Sequence, residues 1–145
     1  MKIEFAKTWN KSTQPRKQRK YRYNAPLHVK QKFVKVHLSK DLRTKYGKRA
    51  AGLRKGDKVL ISRGQFKKKT GKVERIDVKK TKVYITGIEI IKREGSKSLI
   101  PIDPTNLIIQ ELNLEDKKRI KKIQMKLSVK EINSNKPKSE AKKNR

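Results

Sequence analysis

Cysteine is absent from this chain of 145 residues, and acidic residues are scarce, since 13 Asp and Glu stand against 43 Lys and Arg. Without cysteine there is no disulfide framework, thiolate zinc site, iron–sulfur cluster or cysteine nucleophile. No run approaches the roughly 18 apolar residues that a membrane span needs, and the lysine-rich start lacks the apolar stretch of a secretory signal. These absences predict a soluble, intracellular protein without a membrane partner.

Residues for catalysis or metal binding are also few. His28 and His37 are the two histidines, and each lies in a lysine-rich segment without Ser or Asp at a recognisable motif spacing. We interpret them as packing residues or phosphate contacts rather than as general bases. The carboxylates form no identifiable metal site, and no phosphate loop or nucleophile motif is present. We therefore predict no catalytic residue, no metal and no cofactor, with a nuclease as the weaker alternative.

The excess positive charge is unevenly distributed. The formal net charge is +30, with 32% hydrophobic and 39% charged residues, which predicts one modest core with solvated or partner-bound extensions. Residues 56–115 carry only +5, whereas residues 1–24, 25–55 and 116–145 carry +7, +9 and +9. Because such charge density opposes compaction unless a polyanion neutralises it, the flanks are predicted to order on a polyanionic partner.

The first 24 residues combine cations with flat side chains and show no sustained helical or strand period, so we predict an extended arm. Cations neutralise phosphates and aromatic rings stack on unpaired bases, a combination that suits single-stranded or irregular RNA. Trp9 fits stacking on RNA and docking on the domain equally well. The predicted RNA contacts of this arm are Arg16, Lys17, Arg19, Lys20, Tyr21, Arg22 and Tyr23.

Two short helices are predicted between residues 24 and 47. Asn24 precedes an Ala-Pro first turn, and Ser39 precedes KDLRTKY, which Gly47 ends. Isolated helices of this length are marginal in water, so each needs a surface to lie on. The predicted RNA contacts in and after these helices are His28, Lys30, Lys32, Arg43, Lys48, Arg49 and Arg54.

Alternating apolar residues begin at Asp57 and predict five short strands. They are DKVLISR, KVERIDV with a possible bulge, KVYITGIEII, SLIPI and NLIIQEL. Because no helical stretch separates them, we predict a small antiparallel barrel or sandwich, and a closed barrel would leave no exposed strand edges.

The first hairpin, RGQFKKKTGKV, is the functional candidate within this domain. Its glycines allow close backbone approaches, and its lysines present ammonium donors to phosphate. A lysine-rich hairpin tip that merely increases solubility is the alternative. The predicted RNA contacts here are Arg63, Gly64, Lys67, Lys68, Lys69, Gly71 and Lys72.

The segment LRKGDKVLISRGQFKKKTGKVERID resembles the KOW motif of ribosomal proteins and transcription elongation factors. The matching residues are Gly56, Asp57, Val59, Arg63, Gly64, Gly71, Val73 and Ile76. With RKYRYNAPLH, LSKDLRTKYGKR and PIDPTNLIIQELNLEDKKR, residues 14–122 are similar to the archaeal and eukaryotic form of the large-subunit ribosomal protein twenty-four family. Family loops often carry Gly where this chain has Lys68, so the turn is expected to differ in shape.

The resemblance implies a mainly β fold with a small, five-stranded SH3-like barrel, the KOW domain, at residues 53–114. A basic N-terminal arm with two short helices would occupy residues 1–52, and a basic helix with a disordered tail residues 115–145. The implied function is structural: a constituent of the large subunit of the cytoplasmic ribosome that binds large-subunit rRNA near its 5′ end. It would help initiate subunit assembly, lie near the polypeptide exit tunnel and contact neighbouring ribosomal proteins without forming a homo-oligomer.

Two further interpretations concern the ends of the chain and a competing function. Glu115 and Asp116 predict a helix start, and Ile120, Ile123 and Leu127 lie along one side of that helix. Its short apolar stripe without aromatics favours docking on RNA or the barrel over a membrane surface. A transcription elongation factor is the alternative binding function, although such factors usually carry a second folded domain that contacts polymerase.

Overall fold

The computed structural model of the chain describes residue 5, residues 12–121 and residue 123. Trp9, Leu127 and the tail predicted to be disordered lie outside the described residues, so the two interpretations of Trp9 both stand. Within the described part of the chain, no helix combines the length and apolar character that crossing a bilayer requires.

Three helices precede most of the strands. They are α1 (Pro15–Asn24), α2 (Leu27–Phe33) and α3 (Lys40–Tyr46). The start and end of α3 are as predicted: the hydroxyl of Ser39 accepts a hydrogen bond from the Leu42 N–H at 3.3 Å, and Gly47 closes the helix in the left-handed conformation. A C-terminal helix includes residues 117–121 and 123, which confirms the helix start predicted after Asp116.

The extended conformation predicted for the N-terminal arm is wrong, because residues 15–24 form α1. Pro15 occupies the first turn, where its missing N–H costs nothing, and Arg, Lys and Gln are good helix formers. The helix has no buried residue. It therefore lacks the apolar periodicity on which the sequence prediction relied.

The described residues contain eight strands, which form two sheets. The strands are β1 (Lys35–Leu38), β2 (Ala50–Gly52), β3 (Lys58–Ile61), β4 (Thr70–Asp77), β5 (Lys82–Ile85), β6 (Glu89–Ile91), β7 (Lys97–Leu99) and β8 (Leu107–Glu111). The larger sheet has the order β2-β1-β8-β3-β4-β5, and β6 and β7 pair as a separate hairpin. A 3-10 helix at Pro104–Asn106 leads into β8.

The prediction of a mainly β fold is confirmed, but the sheet is mixed rather than wholly antiparallel. Strand β1 runs parallel to β8, with His37 opposite Ile108, and β2 pairs with β1. Two strands from the predicted arm thus belong to the same sheet as the KOW-like hairpin β3–β4. Among the described pairings, β2 and β5 end the order of the six-stranded sheet, which does not close on itself. The predicted bulge lies between β4 and β5, where the register shifts after Val73.

One apolar core lies beneath this sheet. Side chains from β1, β3, β4, β5 and β8 are almost fully buried, including Val36, Leu38, Val59, Ile61, Val73, Val83, Ile85, Leu107 and Ile109. Ile90 was predicted to continue the apolar alternation, yet 54% of it is exposed. It lies on the separate β6–β7 hairpin, which does not pair with the larger sheet. The core therefore contains residues from the predicted N-terminal arm, 1–52, as well as from the predicted barrel, 53–114.

Candidate nucleic-acid interface

Helix α1 presents an exposed, basic surface. It contains five cations and no acidic residue, and none of its side chains is buried. Its exposed predicted contacts are Arg16, Lys17, Arg19, Lys20, Arg22 and Tyr23. Tyr23 is 78% exposed, whereas Tyr21 is half-buried. The helix therefore projects its positive charge into solvent, where a polyanion can reach it.

Aromatic contacts join α1 to α2. The rings of Tyr21 and Phe33 meet edge to face with centroids 6.2 Å apart, and Phe5 lies against Tyr21 at 4.9 Å. The guanidinium carbon of Arg22 lies over the Phe33 ring, 5.9 Å from its centroid. Tyr21 and Arg22 were predicted as contacts from the sequence, whereas Phe33, eleven positions after Arg22, was not.

A cavity of about 590 Å³ opens at this junction and brings four predicted contacts together, namely Tyr21, Arg22, His28 and Lys32. His28 and Lys32 are exposed on α2, and Lys30 on the same helix is half-buried. Neither helix alone contains the cavity. It exists because the Ala-Pro link between α1 and α2 lets them pack through Tyr21 and Phe33.

The turn between β3 and β4 is a second exposed basic surface. The backbone of Ile61 donates to Lys69 and accepts from Lys68, which closes the loop, and Ser62 ties it to Asn106. Gly64 adopts a φ of 96° and Lys68 a φ of 70°. The exposed predicted contacts on or beside this turn are Arg63, Gly64, Lys67, Lys68, Lys69 and Lys72. Backbone bonds thus fix a loop that presents several cations together.

Three other predicted contacts are engaged within the protein. Arg43 donates from Nε to the Leu38 carbonyl at 2.7 Å, and Arg54 pairs with Asp116. A Cβ on Gly71 would lie 2.6 Å from a methyl carbon of Ile85, so this glycine lets β4 and β5 approach each other. These interactions give Arg43, Arg54 and Gly71 a structural function whether or not they contact RNA.

The last two predicted contacts, Lys48 and Arg49, lie between α3 and β2. Lys48 is half-buried and Arg49 is exposed. The Arg49 carbonyl accepts a hydrogen bond from the Leu38 N–H at 3.1 Å. The segment is therefore held against β1 by its backbone while the Arg49 side chain faces solvent.

Four carboxylates of the described residues are paired with cations of the same chain. Asp57 binds Arg119, Lys58 binds Glu111, Lys82 binds Asp103, and Arg54 binds Asp116. The described residues contain no cluster of three or more His, Cys, Asp or Glu suited to a metal ion. Because α1 and the β3–β4 turn (residues 62–69) contain no acidic residue, both are predominantly positive.

A small β domain with a KOW-like hairpin, a basic helix and a basic turn has the architecture of a ribosomal protein. The profile of one family, described as the eukaryotic ribosomal proteins L26 and their archaeal L24 counterparts, matches residues 12–126. The chain belongs to this family.

Similar proteins in three archaea carry the same name, large ribosomal subunit protein uL24. The chain is 45% identical to that of Methanocorpusculum labreanum over 79% of its own length and 95% of the relative's. It is 46% identical to that of Methanosphaera stadtmanae, over 74% and 92% of the two chains. It is 44% identical to that of Methanocella arvoryzae, over 79% and 93%.

Family membership confirms several predictions made from the sequence. The chain is a structural ribosomal protein of the large subunit, acts in translation and has no enzymatic activity. Its location is the large subunit of the cytoplasmic ribosome. The enzyme and elongation-factor alternatives are thereby set aside.

Proposed function

We propose that this protein binds large-subunit rRNA directly, near the 5′ end of that RNA, and helps initiate assembly of the subunit. Its position would be near the polypeptide exit tunnel, as a single copy beside neighbouring ribosomal proteins. The observation that carries the proposal is the separation of charge: α1 and the β3–β4 turn expose several cations and contain no acidic residue.

The proposed interface has a rigid part and a helical part. The β3–β4 turn is fixed by backbone bonds to Ile61 and Asn106, so its cations need little ordering to meet phosphates. Helix α1 supplies exposed cations beside aromatic rings, which suits irregular RNA. We include all the predicted contacts in the interface, with Arg43, Arg54 and Gly71 acting mainly through the fold.

We also propose that residues 53–114 curl into the SH3-like KOW barrel that the family resemblance implies. The bridge between Val83 and Ile102 and the shared burial of Val83, Ile88 and Ile102 support this closure through side-chain packing. In this arrangement residues 1–52 and 115–145 extend from the barrel. Strand β8 of the proposed barrel pairs with β1 of the N-terminal arm.

Fragment specificity tests the proposal. The full chain is titrated with a 5′-proximal fragment of large-subunit rRNA and with a 3′-proximal fragment of equal length, over a series of salt concentrations. We expect tighter binding to the 5′ fragment, with affinity falling steeply as salt rises because bound phosphates release counterions. Equal binding of both fragments at every salt concentration would contradict specific recognition.

Matched charge variants then test the interface itself. The double variant Arg16→Gln with Lys20→Gln removes two exposed cations of α1, and Lys79→Gln with Lys92→Gln removes two exposed cations outside the predicted contacts. Each lost phosphate contact should reduce the salt slope by about 0.7–0.9, so the α1 variant should lose about 1.5. The control variant should keep the wild-type slope. Equal losses in both variants would mean that only net charge matters.

A further inference from the structure

The cavity between α1 and α2 is open to solvent and is lined by basic, aromatic and amide side chains. Its volume of about 590 Å³ lies within the range of small-molecule pockets. Its walls include Gln18, Tyr21 and Arg22 from α1 and His28, Lys32 and Phe33 from α2. No described residue that lines the cavity carries a carboxylate. An anionic ligand with a flat, apolar part fits this combination of walls.

A pair formed by an arginine and an aromatic ring lies at the cavity wall. The Arg22 guanidinium lies over the half-buried Phe33 ring, 5.9 Å from its centroid, and Arg22 itself is exposed. Because the Arg22 side chain is exposed, its guanidinium can receive a flat group from solvent while it remains near the Phe33 ring. In RNA complexes, unpaired bases stack on arginine planes as they do on aromatic rings.

Neighbouring aromatic rings fix the position of Phe33 beside Arg22. Phe33 is contacted edge to face by Tyr21, whose own ring is covered by Phe5 at 4.9 Å. Fewer side-chain rotamers are therefore lost when a ligand binds here than at an isolated surface arginine. Lys32 and His28 both line the cavity and are exposed, so both can donate to a phosphate that enters it.

We propose that this cavity receives one unpaired nucleotide of rRNA, whose base stacks on the Arg22 guanidinium and whose phosphate is bound by Lys32 and His28. The inference rests on the proposed rRNA binding and names the kind of RNA feature recognised: an unstacked base, not a regular duplex. Duplex RNA holds its bases in the helical stack and cannot present one to the cavity.

The test uses a substitution that keeps the positive charge of residue 22 but removes its planar guanidinium group. Arg22→Lys retains a cation but cannot stack, because an ammonium group has no flat face. Arg19→Lys makes the same change at an exposed position of α1 that is not among the residues lining the cavity. Full-length wild type and both variants are titrated with single-stranded oligouridylate and with an RNA duplex of equal phosphate number.

We expect Arg22→Lys to lower the affinity ratio of single strand to duplex by at least about fivefold, the lower bound for losing one base stack. Arg19→Lys should leave that ratio at the wild-type value. An unchanged ratio in Arg22→Lys, or an equal fall in Arg19→Lys, would overturn the proposal. Because both side chains are exposed, neither change is expected to unfold the protein.

Base-specific chemical probing of the complex with large-subunit rRNA separates failure of the site from failure of the proposed function. We expect an unpaired base that wild type and Arg19→Lys protect to become reactive in the Arg22→Lys complex. If wild type binds rRNA specifically but Arg22→Lys gives an identical footprint, the nucleotide site is wrong while rRNA binding stands. If wild type shows no specific rRNA binding, both proposals fail.

Discussion

The carboxylate of Asp57, at the start of β3, is fully buried and is bound by both terminal nitrogens of Arg119, which lies 62 positions later in the chain. The two contacts measure 2.6 and 2.7 Å. The backbone N–H groups of Arg54 and Asn113 also donate to this carboxylate. Arg119 in turn donates to the Gly52 and Asn113 carbonyls. One ion pair thus joins the ends of β2 and β8, the start of β3 and the C-terminal helix.

Removing one charge of this pair should be costly. Asp57→Asn preserves the side-chain volume but leaves the Arg119 guanidinium, only 6% exposed, without a counterion. Breaking a buried pair in this way costs about 3–5 kcal/mol. We expect the free energy of unfolding, measured by urea denaturation at fixed salt, to fall by that amount.

The matched control is an exposed pair in the same sheet. Lys58 and Glu111 meet at 2.7 Å with side chains 42% and 68% exposed, so Glu111→Gln should cost about 0–1 kcal/mol. Replacing both members of the buried pair, Asp57→Asn with Arg119→Met, should cost less than Asp57→Asn alone. If Asp57→Asn were no more destabilising than Glu111→Gln, the pair would not organise the fold.

Local signals in the sequence predicted much of the fold. Ser39 and Gly47 bounded α3 correctly because capping depends on one side chain and one left-handed residue. Strands β3, β4, β5 and β8 followed from apolar alternation over several residues. The segment KVHL of β1 alternates over only four residues, and it becomes a strand by pairing with β8 some seventy positions away. Its strand conformation depends on tertiary contacts, which the apolar periodicity of the sequence does not reveal.

In the candidate site, too, some features follow from the local sequence and others depend on tertiary contacts. Composition predicted that most of its cations would be exposed, because lysine and arginine are rarely buried. It did not predict that Arg22 would lie on Phe33, or that Asp57 would bind Arg119, because both pairs depend on how separate elements pack. Gly71 was interpreted as a loop residue near phosphate. The structure shows instead that its lack of a side chain allows β5 to lie close to β4.

Lys68 in the β3–β4 turn adopts the left-handed conformation that glycine favours, with a φ of 70°. Because a Cβ in this region is disfavoured by about 1–2 kcal/mol, Lys68→Gly should stabilise the protein by roughly 1 kcal/mol. The measurement is the midpoint of urea unfolding. This gain should appear even though one cation of the proposed interface is lost.

Lys67→Gly is the control for Lys68→Gly, since it removes the same charge one residue earlier, where φ is not positive. Glycine there adds freedom to the unfolded chain, so the control should be neutral or destabilising. Equal stabilisation by both variants would show that relief of charge repulsion, rather than backbone strain, is responsible.

Gly71 should tolerate no side chain. A Cβ would lie 2.6 Å from Ile85 Cγ2 and 2.7 Å from the Thr86 carbonyl oxygen, and the latter is backbone that cannot rotate away. Overpacking of this kind costs about 1–3 kcal/mol, so Gly71→Ala should lower the free energy of unfolding by that amount. Gly52→Ala, where nothing lies within 4 Å, should have little effect. A destabilisation of the same size in both variants would contradict the packing argument.

Asp116 links stability to pH at the start of the C-terminal helix. Its carboxylate accepts the Lys118 N–H at 2.8 Å and pairs with Arg54, and these interactions, the backbone bond first, lower its pKa from 3.8. Because the pKa is lower in the folded state, the ionised carboxylate stabilises the fold above pH 3.8, and this contribution is lost as pH falls through the folded-state pKa. Asp116→Asn keeps a good capping residue but does not titrate. We therefore expect the stability difference between wild type and Asp116→Asn, measured by urea unfolding, to shrink below pH 3.8. A difference that stays constant with pH would show that ionisation of this carboxylate does not contribute to stability.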